Sequence, residues 1–422
     1  MIRKSIVLFL AIALSFSFFS CSDTLEDILE AIITSLTSDF RVSPNAPTKA
    51  GGNDTNVGVF ADTNNGYLVT WVHNYLIENT IYWENYACRI SKTGEVLDPA
   101  GIYINDSYWS FYCPSTVFAG GNWIIATNQG GLVEWVGATR VTPAGQVLDT
   151  PPVNICPSTG MATILYPVIA FNGQEILCVT GIAGKGLYGT IFDSNLNILV
   201  EKFLIYEQTV CSSMPRLTAN GNNFFLTFFN SDDGFIKLIQ ISPAGGILSV
   251  QDINEEFEIA LQYWGIPTIT TMNGTSCITY FETPYLWGRR YSSDASAMDS
   301  SPVMIVESDS FYSLVDELST GFQGHGYTDL VWTGECYCFF WPRTPDPGIS
   351  AVCFNSDLSP EEKKTYSLDS QCDWLCRYGQ LYDRSYSLIR AAAIGNKVLT
   401  AWADKRAGDG RVYANLFEVT LK

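Results

Sequence analysis

The chain has 422 residues, with 43 acidic against 24 basic side chains and a formal net charge of −19. A field of that sign repels phosphate backbones and excludes nucleic acid as a partner. The length suffices for one large core or two ordinary ones.

Residues 1–20 read as an export signal. Arg3 and Lys4 supply the positive start, and Ile6 to Phe19 is an apolar run broken only by Ser15 and Ser17. That run has signal length and is too short to span a bilayer comfortably. Ser20-Cys21 follows and resembles a bacterial lipobox, although Phe18 and Phe19 depart from its usual residues. The resemblance implies cleavage before Cys21, lipidation of that residue, and anchoring to the outer membrane, on its surface or periplasmic side. Asp23, Glu26 and Asp27 are similar to the surface-export signals of some Gram-negative lipoproteins.

Residues 21–55 are expected to form a spacer between anchor and domain. Leu25, Ile28, Leu29, Ile32, Ile33 and Leu36 recur at helical spacing and predict a short helix. Ser43 to Thr55, rich in Pro, Gly, Asn and Thr, reads as a linker.

Seven units occupy residues 56–422. Each opens with a short, largely apolar strand: Val57–Ala61, Thr116–Ala119, Pro167–Phe171, Pro215–Ala219, Pro267–Thr271, Asp329–Trp332 and Ile389–Ala393. Turns such as Asn65-Gly66, Asn172-Gly173 and Asn220-Gly221 follow, and these residues tolerate the positive φ of tight hairpins. A second strand comes next, then a variable loop, a third strand, a repeated turn and a fourth strand. The repeated turn is plain in three units, as Arg89-Ile-Ser-Lys-Thr-Gly-Glu-Val-Leu-Asp98, Arg140-Val-Thr-Pro-Ala-Gly-Gln-Val-Leu-Asp149 and Gln240-Ile-Ser-Pro-Ala-Gly-Gly-Ile-Leu-Ser249. The opening strands lie 48 to 62 residues apart, a period that suits four-stranded propeller blades. The expected fold is therefore all-β, a seven-bladed β-propeller of antiparallel blades.

The seventh unit ends after its third strand, Arg411–Val419, and Asp39–Val42 precedes the first unit without a partner. We expect this N-terminal segment to close the last blade, which removes an open edge.

Twelve cysteines in an exported chain indicate disulfides. Cys336 and Cys338 share a strand face, Cys372 and Cys376 share a loop, and Cys353 could join the first pair at a metal. With two histidines, His73 and His325, and no CxxC pair, core cysteines and disulfides are the better reading, and neither metal nor cofactor is expected.

Trp402-Ala-Asp404-Lys-Arg406, the glycine turn after it, and Val412-Tyr413-Ala414 resemble a repeat of secreted bacterial propellers. The turns at 94–98 and 145–149 are similar in style. The resemblance implies a propeller at the cell surface and no catalytic residue, with Asp404 and Arg406 as a structural ion pair.

Catalytic signals are thin. The recurring aspartate turn of sialidases has only Ser231-Asp-Asp-Gly234 as a fragment, and no nucleophile elbow, His-Glu-x-x-His or phosphate loop occurs. His325 is expected in a solvated loop, and thirteen arginines show no spacing that marks a carboxylate-binding cluster. Binding is favoured by aromatics in the connections between units. Trp109, Tyr112, Tyr166, Trp264, Tyr327, Trp374 and Tyr386 are expected to ring one face, where flat rings with polar tips suit sugars or a protein partner. The expected function is a non-catalytic binding or scaffold module of the cell envelope, with a glycan or envelope protein as ligand. The alternative is a carbohydrate-active enzyme, hydrolase or lyase, using acids on the same face. Clustered arginines, or two carboxylates at glycosidase spacing over the channel, would favour that alternative.

Overall fold

Short apolar strands joined by tight turns form antiparallel meanders, and seven of these are arranged in a ring. The computed structural model describes residues 31–46, 52–78, 80–107, 113–130, 134–156, 164–207, 214–230, 232–254, 267–282, 285–307, 328–342, 348–358, 365–368, 389–404, 406 and 410–421.

Two strands, β1 (Ala31–Ser35) and β2 (Phe40–Arg41), precede the first blade. Blade one is β3 (Asn53–Asp62), β4 (Gly66–Ile77), β5 (Thr80–Ile90) and β6 (Ile102–Ser107). Blade two is β7 (Ser115–Ala119), β8 (Asn122–Gly130), β9 (Glu134–Val141) and β10 (Val153–Cys156). Blade three is β11 (Ile164–Phe171), β12 (Ile176–Ile182), β13 (Gly186–Phe192) and β14 (Ile198–Tyr206). Blade four is β15 (Arg216–Asn220), β16 (Asn223–Asn230), β17 (Phe235–Ile241) and β18 (Ile247–Asp252). Blade five is β19 (Thr268–Met272), β20 (Thr275–Glu282), β21 (Tyr285–Tyr291) and β22 (Val303–Glu307). Blade six is β23 (Asp329–Trp332), β24 (Tyr337–Pro342), β25 (Ile349–Phe354) and β26 (Thr365–Leu368). Blade seven is β27 (Arg390–Ile394), β28 (Lys397–Asp404) and β29 (Arg411–Leu421), completed by β1 and β2. The first strand of each blade contacts the first strand of the next, and β27 contacts β3, so the ring is closed. The fold is the seven-bladed propeller expected from the repeat.

The core lies between blades. One apolar cluster fills each of the seven seams. Side chains alternate across a strand, so the second strand of a blade serves two seams at once. On β16, Phe224, Leu226 and Phe228 enter the seam with blade three, while Phe225 and Phe229 enter the seam with blade five. This is why second strands read as unbroken apolar runs, as parallel-sheet strands buried on both faces also do. Each buried Phe contributes about 2–3 kcal/mol relative to its exposed state.

The repeated turn is present in six blades. A backbone N–H bonds to the carbonyl three residues earlier at Gly94, Gly145, Leu196, Gly245, Ala295 and Leu358. All six residues have positive φ. The three copies without glycine were hidden in the sequence by that substitution.

Closure takes two N-terminal strands. Ala31–Ser35 pair with Leu421–Phe417, and Phe40–Arg41 pair with Ala414–Tyr413. The second pairing is the expected closing segment; the first lies in the stretch whose spacing predicted a helix. Ile32, Ile33 and Thr34 are β-branched and fit a pleated strand, and the open edge of β29 supplies hydrogen bonds that an isolated helix would lack. Arg406 locks the closure: it bonds Asp404 at 2.6 Å and Asp39 at 2.8 Å and lies 4.2 Å from the Tyr413 ring centre. Asp404 and Arg406 thus form the structural pair the sequence indicated.

Candidate binding site at the channel mouth

The first residues of the inner strands stand at one end of the central channel, on the face opposite the repeated turns. Ser115, Arg216, Thr268, Asp329 and Arg390 all hold this position in their blades. The ring, rather than local sequence, brings them together.

Contacts at this level cross the channel. Arg216 of blade four donates from Nη2 to the Thr328 carbonyl of blade six at 3.2 Å. Arg390 of blade seven donates to the Met214 sulfur beside blade four at 3.4 Å. Arg390 is only 4% exposed, and Cys113, entering from blade two, is 5% exposed. Burial raises the Cys113 thiol, with Arg390 and Arg216 opposing, so the thiol is neutral and gives the arginines no counter-charge.

The nearby carboxylate belongs to Asp329, and it is engaged by backbone. One oxygen accepts the Leu330 N–H at 3.1 Å and the other the Ala391 N–H at 3.1 Å. Two guanidiniums therefore face one carboxylate. Burial first, and then the charge of Arg390, pull the Arg216 guanidinium down to about 9 despite Asp329. It stays protonated at neutral pH. Among the described residues, Arg216 Nε, Arg390 Nη1 and Thr328 Oγ1 are buried without a hydrogen-bond partner. Unpaired donors and a surplus of buried positive charge suit an anion, above all a carboxylate or another planar or tetrahedral oxyanion.

Of the aromatic positions expected from sequence, one falls on a described strand. Tyr166 lies on β11, the inner strand of blade three. Trp109, Tyr112, Trp264, Tyr327, Trp374 and Tyr386 lie outside the described residues, as do Cys21, His325 and the Cys372–Cys376 pair. At the cysteine cluster, Cys338 and Cys353 are disulfide-bonded cross-strand neighbours, and the Cys336 sulfur lies 3.9 Å from that of Cys338. The bond uses two of the three thiols a metal would need.

Sequence reasoning missed Arg216 and Arg390. The available signal was register: each immediately follows the residue that opens its unit, Pro215 and Ile389, and so begins an inner strand.

No family model and no curated protein matches the chain. Among solved structures, it is similar to an alpha-L-arabinofuranosidase from Fusarium graminearum, at 12% identity and a TM-score of 0.47, covering 91% of this chain and 98% of that one. An alpha-L-arabinanase from Penicillium chrysogenum, complexed with arabinobiose, is 12% identical with a TM-score of 0.46, covering 91% and 98%. A neuraminidase-like protein of A/flat-faced bat/Peru is 10% identical with a TM-score of 0.44, covering 94% and 95%. At these values none assigns a chemistry to this chain.

Proposed function

We propose that the protein is a recognition module of the bacterial cell envelope, lipid-anchored through Cys21, that takes an acidic glycan at the channel mouth. The observation that carries this reading is the surplus guanidinium charge of Arg216 and Arg390 over the one carboxylate of Asp329, with Arg216 Nε and Arg390 Nη1 buried and unpartnered. A uronate-type carboxylate would match it. The aromatic residues expected in the connections between units would supply flat surfaces for sugar rings.

The closing strands support one direction for such an anchor. β1 starts opposite Leu421, at the end of β29 on the turn face, and the chain reaches Arg41 toward the channel-mouth face. Nine residues lie between Cys21 and Ala31, a reach of at most about 35 Å. An anchor at Cys21 would hold the turn face toward the membrane and present the channel mouth outward.

A second reading, cleavage of the same acidic glycan by a hydrolase or lyase, is favoured by the same arginine pair. The two part on turnover. Calorimetric titration of protein beginning after Cys21 should give binding to oligogalacturonate and none to the matching neutral galactan. Arg390→Met should abolish it. Recovery of the oligosaccharide intact supports recognition, and chain shortening moves the protein to the enzyme class. Equal binding of neutral and acidic glycans would remove the basis of the proposal.

A further inference from the structure

A second polar pocket lies in the seam between blades seven and one. Arg41 of β2, Asp54 of β3, Trp71 and His73 of β4, Tyr86 of β5 and Arg411 of β29 line it. The closing N-terminal segment thus supplies one wall, so the pocket is complete only when the ring is closed.

His73 is fixed within it. Asp54 and His73 are directly paired across β3 and β4, and His73 Nδ1 lies 2.8 Å from Asp54 Oδ1. The Asp54 carboxylate accepts a hydrogen bond there, which places hydrogen on Nδ1 and leaves Nε2 as the other ring nitrogen. Nε2 is buried and has no partner among the described residues, and Arg41 Nε is in the same condition. His73, Asp54 and Arg411 are each 4% exposed. Trp71 and Tyr86 stack with ring centres 5.7 Å apart, and His73 meets the edge of Tyr86 at 6.2 Å. Arg411 is tethered by donating to the Gly52 and Gly410 carbonyls at 3.1 and 2.8 Å.

The charge balance points one way. Arg41, Arg411 and one carboxylate, that of Asp54, line the pocket beside His73. Glu84, the next acid, accepts from the hydroxyls of Tyr75 and Tyr86 at 2.9 and 3.0 Å. An apolar pocket could stay empty, but a buried donor without an acceptor, as Arg41 Nε is here, is costly, and an incoming acceptor would recover that cost. The space admits little more than one water-sized atom, so a ligand enters by an end and not whole.

We infer that this seam is a small-oxyanion site, in which one oxygen of a carboxylate, phosphate or sulfate group accepts hydrogen bonds from His73 Nε2 and Arg41 Nε beside Arg411. A donor at Nε2 requires the imidazolium, so binding takes up a proton. The titratable and charged groups around His73 are Asp54 on β3, Tyr75 on β4, Glu84 and Tyr86 on β5, Arg41 on β2 and Arg411 on β29. Because binding takes up a proton, affinity should rise as pH falls from about 8 to about 5.5. The site stands apart from the channel-mouth reading: loss of either leaves the other intact.

The chain has two histidines, which makes imidazole nitrogen spectra readable, with His325→Asn assigning His73. Acetate, phosphate and sulfate are titrated in turn against a chloride reference of equal ionic strength, using protein that begins after Cys21. The expected result is a saturable shift of His73 Nε2 to its protonated position with at least one anion, stronger at lower pH. Arg41→Met should weaken it about ten-fold or more, while Arg390→Met leaves it unchanged. The order of the three anions identifies the group preferred. A His73 Nε2 signal indifferent to all three across that pH range overturns the proposal and leaves a pocket that holds water. If Arg41→Met lowers the melting temperature sharply, Arg41→Lys tests the same point: it keeps the charge, removes Nε, and should still weaken the shift.

Discussion

Asp98 holds Arg89 from nine residues away. Its carboxylate accepts the Arg89 backbone N–H at 2.9 Å and the guanidinium at 2.8 and 2.6 Å. The remaining arm of that guanidinium donates to the Pro143 carbonyl in blade two. Arg290 repeats the arrangement with Asp299 and with the Ser356 carbonyl of blade six. The recurring phrase in the sequence is thus a latch. It closes the outer turn of one blade and, at these two positions, ties that turn to the next blade.

Breaking a latch should cost stability with a recognisable pH dependence. Burial alone would raise the Asp149 carboxyl, but the hydrogen bonds and charge of Arg140 hold it below the usual carboxylate range. A carboxyl lowered in the folded state stabilises above its unfolded value of about 3.9 and loses that contribution as pH falls through the folded value. Asp149→Ala should therefore lower stability by about 1–3 kcal/mol at pH 7. In urea midpoints measured against pH, the gap to wild type should narrow below about pH 4. A gap independent of pH would mean that packing, not charge, holds the turn.

The three turns without glycine invite a contrast. A non-glycine residue in the left-handed region carries roughly 1–2 kcal/mol of strain. Leu358 is fully buried, and its side chain fills the seam between blades five and six. Truncating it costs about 2–5 kcal/mol, so Leu358→Gly should destabilise despite the relief of strain. Ala295 has only a methyl group to lose, and Ala295→Gly should fall within about 1 kcal/mol of wild type. Denaturation midpoints of the two variants decide the matter, and equal losses would show that backbone conformation dominates.

Much of this architecture was legible because turn chemistry is local. Glycine turns, most of them with an adjoining Asn, and apolar runs marked the seven inner hairpins, and glycine marked three outer turns. The other three outer turns use Leu196, Ala295 and Leu358, whose positive φ depends on burial in a neighbouring seam that sequence does not display. β1 was read as a helix for a similar reason: its partner, β29, is at the other end of the chain. The channel-mouth arginines were obscured most completely. Arg390 and Met214 are in contact but 176 residues apart, and only closure of the ring makes them neighbours.

Cysteine reactivity should follow burial. Desolvation raises the Cys336 thiol, with the Thr333 hydrogen bond opposing, and pushes Cys88 up to about 12. Thiolate is the reactive form, so iodoacetamide at pH 8 should leave both unlabelled in folded protein and label both in urea. Peptide mapping without reductant should recover Cys338 linked to Cys353. A peptide joining Cys336 to either one would contradict the pairing.

The arginine pair sets binding against stability. Arg216 is held at about 9 in the folded protein, well below its ordinary value of about 12.5. The charged form is therefore disfavoured by folding; the penalty is complete below about pH 9 and is relieved as pH rises toward the unfolded value. Removing the charge at pH 7 should remove the penalty, as when buried ions are replaced by apolar residues of similar size. Arg216→Met should raise the melting temperature by roughly a few degrees while abolishing the binding of oligogalacturonate. Saturating oligogalacturonate should raise the melting temperature of the wild type and leave that of Arg216→Met unchanged. A variant that melts lower and still binds would show that Arg216 serves the channel wall and not a ligand.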